Sequence, residues 1–490
     1  MNDDMSSRGS ILYVIGISMI AALGGFLFGF DMTVVSGTLP FLTYVFQLNG
    51  AGLGWAVSSC ILGCVFGAAS AGKLADTLGR KKVLIGTAVL FTVSAVGAGW
   101  APNFNTFIFF RLLGGLAIGA ASGVAPIYVA ETAPTRLRGR FVSFYQLAIV
   151  IGLLASYLSN YFLLLSTGDN AWRWMFTAGV VPAGLFFFLL FLVPETPRWL
   201  VKAGREARAL EVLTRIDGAE YAAREMTVIQ QTLRVPKGRL ADLLQPRMAR
   251  IVVIGMLLGI FSQICGANAV FTYAPVIFSQ TMSRDSGFDE AQAENSQADT
   301  PESGNPKPDK DKLQNALLKT ALIGVINFFA TFIPILLVER VGRRPLLMAG
   351  VACMALSVGA LSGLYAIGAS SFAARASVLA AVLVFIAAYS SSLACLTWVI
   401  LSEIFPNRIR GEAMSVANLS LWTANYVLLQ TFPMIEERFG LASTFGVYSV
   451  ICCIIFLFVW RFIPETKGKS LEEIEIQLVG LPSKECPGSA

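Results

Sequence analysis

The chain has 490 residues, of which 55% are hydrophobic and only 14% charged, with a net charge of +6 and no histidine. That balance lies outside the range of soluble globular domains and excludes an ordinary water-soluble enzyme or binding module. Without histidine, the commonest metal ligand and the usual near-neutral proton carrier are missing, so any proton chemistry must fall to carboxylates.

Apolar runs of about 20 residues, enough to cross a ~30 Å hydrocarbon core, predict twelve membrane helices. They fall near 11–35, 52–75, 83–101, 105–130, 141–164, 174–194, 250–279, 314–338, 345–367, 376–402, 413–433 and 441–463. The expected fold class is therefore an all-α membrane protein, two six-helix bundles joined by a helical linker domain. The expected boundaries are 1–194 for the first bundle, 195–249 for a polar, basic, cytoplasmic helical domain, 250–463 for the second bundle and 464–490 for a tail. Residues 285–312, rich in Asp, Glu, Ser, Gln and Pro, read as a disordered loop on the opposite face of the membrane. The polar start leads into a hydrophobic segment too long for a cleavable signal peptide.

The two bundles are copies of one design. Gly79-Arg80-Lys81 returns as Gly342-Arg343-Arg344, Glu131 to Gly139 returns as Glu403 to Gly411, and Pro194-Glu195-Thr196 returns as Pro464-Glu465-Thr466, in the same order and at nearly constant separation. Parallel repeats of this kind build many secondary transporters, with the substrate site between them near the bilayer midplane. Basic clusters at Arg80 to Lys82, Arg136 to Arg140, Arg343-Arg344 and Arg408 to Arg410 occupy alternate loops, which assigns those loops and both termini to the cytoplasm of a plasma membrane or bacterial inner membrane. The positive charge follows from this sidedness, and no nucleic-acid partner is expected. Seven of the eight cysteines lie in predicted spans, with neither a disulfide framework nor a metal-ligand spacing. Glycines four apart, Gly63 and Gly67 in the second span and Gly115, Gly119 and Gly123 in the fourth, read as close helix packing.

Acids at the ends of spans face basic clusters just beyond them. Asp76, Glu131, Glu195, Glu339 and Glu403 with Arg80, Arg138, Arg343 and Arg410 offer inter-helix ion pairs. Each is worth on the order of 0–1 kcal/mol, which suits a reversible gate as well as static anchoring.

With these motifs in hand, the chain resembles a sugar porter of the major facilitator superfamily. The matching stretches are Gly72 to Lys82, Arg111 to Gly115, Pro126 to Glu131, Pro194 to Trp199, Gly266-Ala267-Asn268, Glu339 to Arg344, Ser402 to Gly411 and Pro464 to Gly468. The resemblance implies alternating access, a small polyhydroxylated substrate, no cofactor and action as a monomer in the bilayer. It implies sugar contacts at Gln146, Gln263, Asn268, Asn327 and Trp398. Amides donate and accept, as vicinal hydroxyls require, although any one of them alone is equally explained as glue between helices. The chain departs from the family at Ser262, Leu421, Ser390 to Thr397 and Thr272-Tyr273; Asn418, one turn from Leu421, is positioned to replace a lost amide.

A charge inside a span costs about 2.5–3.5 kcal/mol on insertion scales, so Asp31 in the first span needs a partner, and Arg111 in the fourth is the natural one. The resemblance implies that this pair couples sugar to protons; a static brace for Arg111 is the other reading, and Gly179 stands where some proton-coupled relatives carry a further acid. The expected activity is sugar–proton symport, with facilitative uniport, polyol transport such as inositol, and nutrient sensing as alternatives. No nucleotide-binding loop or nucleophile motif points to an enzyme or an ATP-driven pump.

Overall fold

The computed structural model describes residues 11–134, 137–234, 243, 245–283, 305–368, 371–406 and 409–467. Among these residues there is no β-strand. The helices are α1 (Ile11–Phe46), α2 (Gly50–Leu78), α3 (Arg80–Gly99), α4 (Phe104–Thr132), α5 (Arg138–Thr167), α6 (Ala171–Thr177), α7 (Val180–Leu190), α8 (Pro197–Lys202), α9 (Glu206–Asp217), α10 (Ala219–Arg234), α11 (Pro246–Ile264) and α12 (Ala267–Ser283). They continue as α13 (Lys310–Ala330), α14 (Phe332–Val341), α15 (Arg343–Ile367), α16 (Phe372–Ser390), α17 (Leu393–Ile404) and α18 (Arg410–Phe462).

Among the described residues, ten apolar helical stretches are long enough to cross a membrane, and two of them are double. Ser143–Leu190 has 48 residues and Arg410–Phe462 has 53. At 1.5 Å per residue the latter measures roughly 80 Å, more than twice a ~30 Å core. Each is interrupted where the sequence expects a loop, by the 3₁₀ turn Gly168–Asn170 in the first and by Gly440 (φ 74°, ψ 168°) in the second. Split there, the ten stretches give the twelve expected spans.

Several spans are also broken internally. α11 and α12 form the seventh span, divided at Gly266 (φ 94°), where a side chain would in addition press on the Tyr448 ring. The tenth span, α16 and α17, breaks at Ser391-Ser392 without glycine or proline. There the hydroxyls of Ser390 and Ser392 donate to the carbonyls of Ile386 and Ala388, side-chain bonds that bend helices from within.

The chain forms two compact units, one of residues up to Thr38 with Ser59–Pro236, the other of Leu39–Ser58 with the chain from Lys237 onward. In the first, glycines set the spacing. A Cβ on Gly115 would collide with the Cys60 carbonyl, one on Gly63 with the Leu112 carbonyl, and one on Gly29 with the Ile149 carbonyl, so α2 packs on α4, and α1 on α5, backbone to backbone. The polar segment after the sixth span is helical: α9 buries Ala209, Val212, Leu213 and Ile216, the i, i+3, i+4, i+7 stripe of an amphipathic helix.

In the second unit the tip of the α1–α2 hairpin packs on α18. The Gly50 N–H donates to Glu437 (3.0 Å), and the Ser58 hydroxyl donates to Gln430 (2.7 Å). The stretch read as disordered, 285–312, differs at its end. Its residues 285–304 lie outside the described residues, but the Asn305 side chain donates to the carbonyls of Thr43 and Leu48, and from Lys310 the chain is helical, capped by the Asp309 carboxylate. An N-cap aspartate explains why so polar a sequence starts a helix.

Candidate functional site

The Asp31 and Arg111 pair forms as expected. Arg111 is 1% exposed and its Nη1 donates to the Asp31 Oδ2 at 3.1 Å. The guanidinium also lies over the Phe176 ring, 5.4 Å from its centroid. The same Asp31 oxygen accepts from the Cys60 thiol (3.6 Å), a partner the sequence did not signal because a thiol carries no charge that demands one. A cavity of about 10 Å³, close to the room of one water molecule, opens beside Asp31 between Leu27, Phe30, Phe91, Ala95, Phe176 and Gly179. The absence of a side chain at Gly179 leaves that space.

In the second unit, breaks in the helices place the amides. Asn268 stands on the first turn of α12, just after the Gly266 break, and donates both to the Gln263 Oε1 and to the Asn425 Oδ1 (3.3 Å). Gln263, buried at the end of α11, donates to the Ser262 hydroxyl (3.0 Å), which in turn donates to the Gly259 carbonyl (2.7 Å). Ser262, one of the departures from the family pattern, thus orients Gln263. Asn327 on α13 is buried and accepts from the Ser390 hydroxyl at the tenth-span break (2.6 Å). Trp398 on α17 is 40% exposed.

Gln146 is half-buried on α5 in the first unit. Asn418, the expected replacement amide, does not join the Gln263–Asn268 group. Asn425 does, two turns further along the same face of α18, while the buried Asn418 Oδ1 has no hydrogen-bond partner among the described residues. The legible signal was an isolated amide on an apolar helix, which does not say which of two amides reaches the cluster.

The charged motifs repeat contact for contact. In the first unit Arg80 pairs with Asp76 (3.2 Å) and Glu131 (3.1 Å); in the second Arg343 pairs with Glu339 (3.1 Å) and Glu403 (3.1 Å). Two expected pairings are corrected. Among the described residues, Glu195 forms no ion pair with an arginine side chain. It accepts instead from the backbone N–H groups of Arg80 (3.0 Å) and Lys81 (3.1 Å), at the start of α3, where unpaired N–H groups and the helix dipole attract a carboxylate. Glu465 does the same for Arg343 and Arg344 at the start of α15 (both 3.1 Å). Gly79 (φ 102°) and Gly342 (φ 103°) precede these helices, and a Cβ at either would crowd the capping carboxylate. Arg410 likewise pairs with no acid among the described residues; its Nε donates to the Phe405 carbonyl (3.2 Å). The side chain of Arg138 lies outside the described residues.

The two caps differ electrostatically. Burial pushes the Glu195 carboxyl above the ordinary glutamate value, against the lowering by its backbone donors. At Glu465 burial also raises it, but the N–H groups of Lys467, Arg343, Arg344 and Thr466 together outweigh that and hold it below the ordinary value.

Known proteins match this chain along nearly its whole length. The family described as "Sugar (and other) transporter" matches residues 17–293 and 309–478. The arabinose-proton symporter of Bacillus subtilis (strain 168) is 38% identical over 95% of this chain and 95% of its own. The major myo-inositol transporter IolT of the same organism is 36% identical over 94% of this chain and 93% of its own. Among solved structures, the inward-open conformation of the xylose transporter XylE from E. coli superposes with a TM-score of 0.80 at 33% identity, over 95% of this chain and 99% of that one. With the repeated charge motifs, the amides at the helix breaks and the Asp31–Arg111 pair all within the matched residues, the chain belongs to the sugar transporter family of the major facilitator superfamily.

Proposed function

We propose that this protein moves a monosaccharide across the membrane by alternating access in symport with protons, Asp31 and Arg111 forming the coupling pair. The observation that carries the coupling is the 3.1 Å ion pair between two charges packed among membrane helices, in a chain with no histidine. External protonation of Asp31 loosens its hold on Arg111 and favours sugar binding and occlusion. Inward opening releases sugar and proton, and the restored ion pair drives the return.

Gln146, Gln263, Asn268, Asn327, Asn425 and Trp398 supply the sugar contacts, the amides for hydroxyls and the indole for the apolar face. Asn425 takes the role first assigned to Asn418. The Arg80 and Arg343 clusters, with their capping glutamates, form the cytoplasmic gate, and both termini face the cytoplasm. The protein works as a monomer in the bilayer without a cofactor.

The test is uptake of labelled pentoses, hexoses and inositol into proteoliposomes, with and without an inward pH gradient, for the wild type and Asp31→Asn. Accumulation above equilibrium that requires the gradient and is lost in Asp31→Asn is the expected result. Uptake that only equilibrates and survives Asp31→Asn sinks symport and leaves a uniporter. A polyol substrate is the second reading, favoured by the likeness to the inositol transporter and by an amide cluster that differs from the family pattern at Ser262 and Leu421. The same panel decides between them.

A further inference from the structure

Asp31 faces a small set of groups. From α4 comes the Arg111 guanidinium, from α2 the thiols of Cys60 and Cys64, and from α3 the Ser94 hydroxyl, close to Gly114. Ser94 is turned away, donating to the Phe110 carbonyl at 2.8 Å. The small cavity beside Asp31 is lined by apolar residues, Leu27 and Phe30 from α1, Phe91 and Ala95 from α3 and Phe176 from α6, with Gly179. Among the described residues, Asp31 therefore accepts from two side chains, Arg111 and Cys60, and both bonds converge on its Oδ2.

Cys60 cannot easily leave that place. It is fully buried, and its backbone is gripped by Gly115, whose missing side chain lets α4 press against the Cys60 carbonyl. Its donor is a weak one. A weak donor suits a carboxylate that must alternate between ionised and protonated forms, because it favours the ionised form without trapping it. When Asp31 is protonated the thiol still has a partner at hand in Cys64, one turn along the same helix.

We propose that Cys60 is a positioning residue for proton coupling, its thiol donating to the Asp31 carboxylate and holding the ionised form against Arg111. This rests on the symport reading above.

A donor to the ionised form opposes protonation, so removing the thiol shifts gradient-driven uptake to higher pH. Uptake of labelled L-arabinose and D-xylose is measured in proteoliposomes against external pH for the wild type, Asp31→Asn, Cys60→Ala and Cys60→Ser. The expected result is that the half-maximal pH of gradient-driven uptake rises by about half a unit to one unit in Cys60→Ala, the scale of one lost hydrogen bond. Cys60→Ser, which keeps a donor, returns it toward the wild-type value. A purely structural role for the thiol lowers the amount of active protein and leaves the midpoint in place.

Superimposable midpoints for the wild type and Cys60→Ala, with Asp31→Asn uncoupled, overturn the Cys60 inference alone. Gradient-driven accumulation that survives in Asp31→Asn, or no gradient dependence in the wild type, overturns the symport reading and this inference with it. Infrared difference spectra of the purified wild-type protein give a readout that needs no transport and no folded Cys60 variant. A thiol S–H band that shifts together with a carboxyl band on acidification, and does not shift in Asp31→Asn, supports the proposal; S–H bands indifferent to pH overturn it.

Discussion

Arg111 answers to two partners of different kinds, the Asp31 carboxylate and the face of Phe176. A lysine can meet the first as a point charge but lacks the planar group that covers the ring. Arg111→Lys is therefore expected to reach the membrane in normal amount and to lose at least about tenfold in gradient-driven uptake, the scale of ~1.4 kcal/mol; near-normal uptake would show that charge alone suffices. Gln263 sits between Ser262 and Asn268. Truncating it leaves one amide of the cluster without its partner, so Gln263→Ala should raise KM for sugar by about tenfold, read from concentration-dependent counterflow. At this scale the sequence was most legible where chemistry forbids alternatives. A carboxylate inside a membrane helix demands a cation, and Arg111 was the natural one within the spans. It was least legible where several equivalent groups compete, as Asn418 and Asn425 do for one place on α18, or where the partner is a weak, uncharged donor, as with Cys60.

The helix starts after Gly79 and Gly342 are built alike but respond differently to acid. The charge buried on Glu195 costs the folded state most at neutral pH, and that cost is relieved as pH falls through its raised folded value. The contribution of Glu465 is complete above the ordinary glutamate value and is lost only as pH falls below it, through its lowered folded value. On acidification Glu195 takes its proton first. Amide hydrogen exchange, corrected for the intrinsic pH effect, should show residues 80–81 losing protection at mildly acid pH while residues 343–344 keep theirs; simultaneous loss would refute the asymmetry. The packing of α2 on α4 makes a second prediction at this scale. Gly115→Ala places a methyl group against the Cys60 carbonyl and should destabilise the fold by about 1–3 kcal/mol, seen as a lower midpoint in detergent thermal unfolding. The four-residue glycine spacing made this contact legible in advance. The break at Ser391-Ser392 was not, because serine breaks a helix only when its hydroxyl bonds the preceding turn, and that choice depends on what packs around it.

Across the molecule, alternate loops carry the basic residues, and this sidedness is testable. In cells, Asn49→Cys should react with a membrane-impermeant thiol reagent from outside, and Arg340→Cys only in inverted vesicles, both above the background of the native chain; the reverse pattern would turn the topology over. The number of spans and the two-fold plan were readable because a span must be apolar over about 20 residues and because the motifs repeat in order. The start of α13 was not, since residues 305–312 are polar throughout and the single capping Asp309 does not stand out among them. The repeated caps have a consequence for how such a sequence can drift over time. The donors that Glu195 and Glu465 hold are main-chain N–H groups, present whichever amino acid stands at positions 80, 81, 343 and 344, and only proline would remove them. Half of the attachment at each site is thus written in the polypeptide itself and is invisible to substitution of the arginines and lysine, so inheritance must guard it through the two glutamates and the two glycines alone.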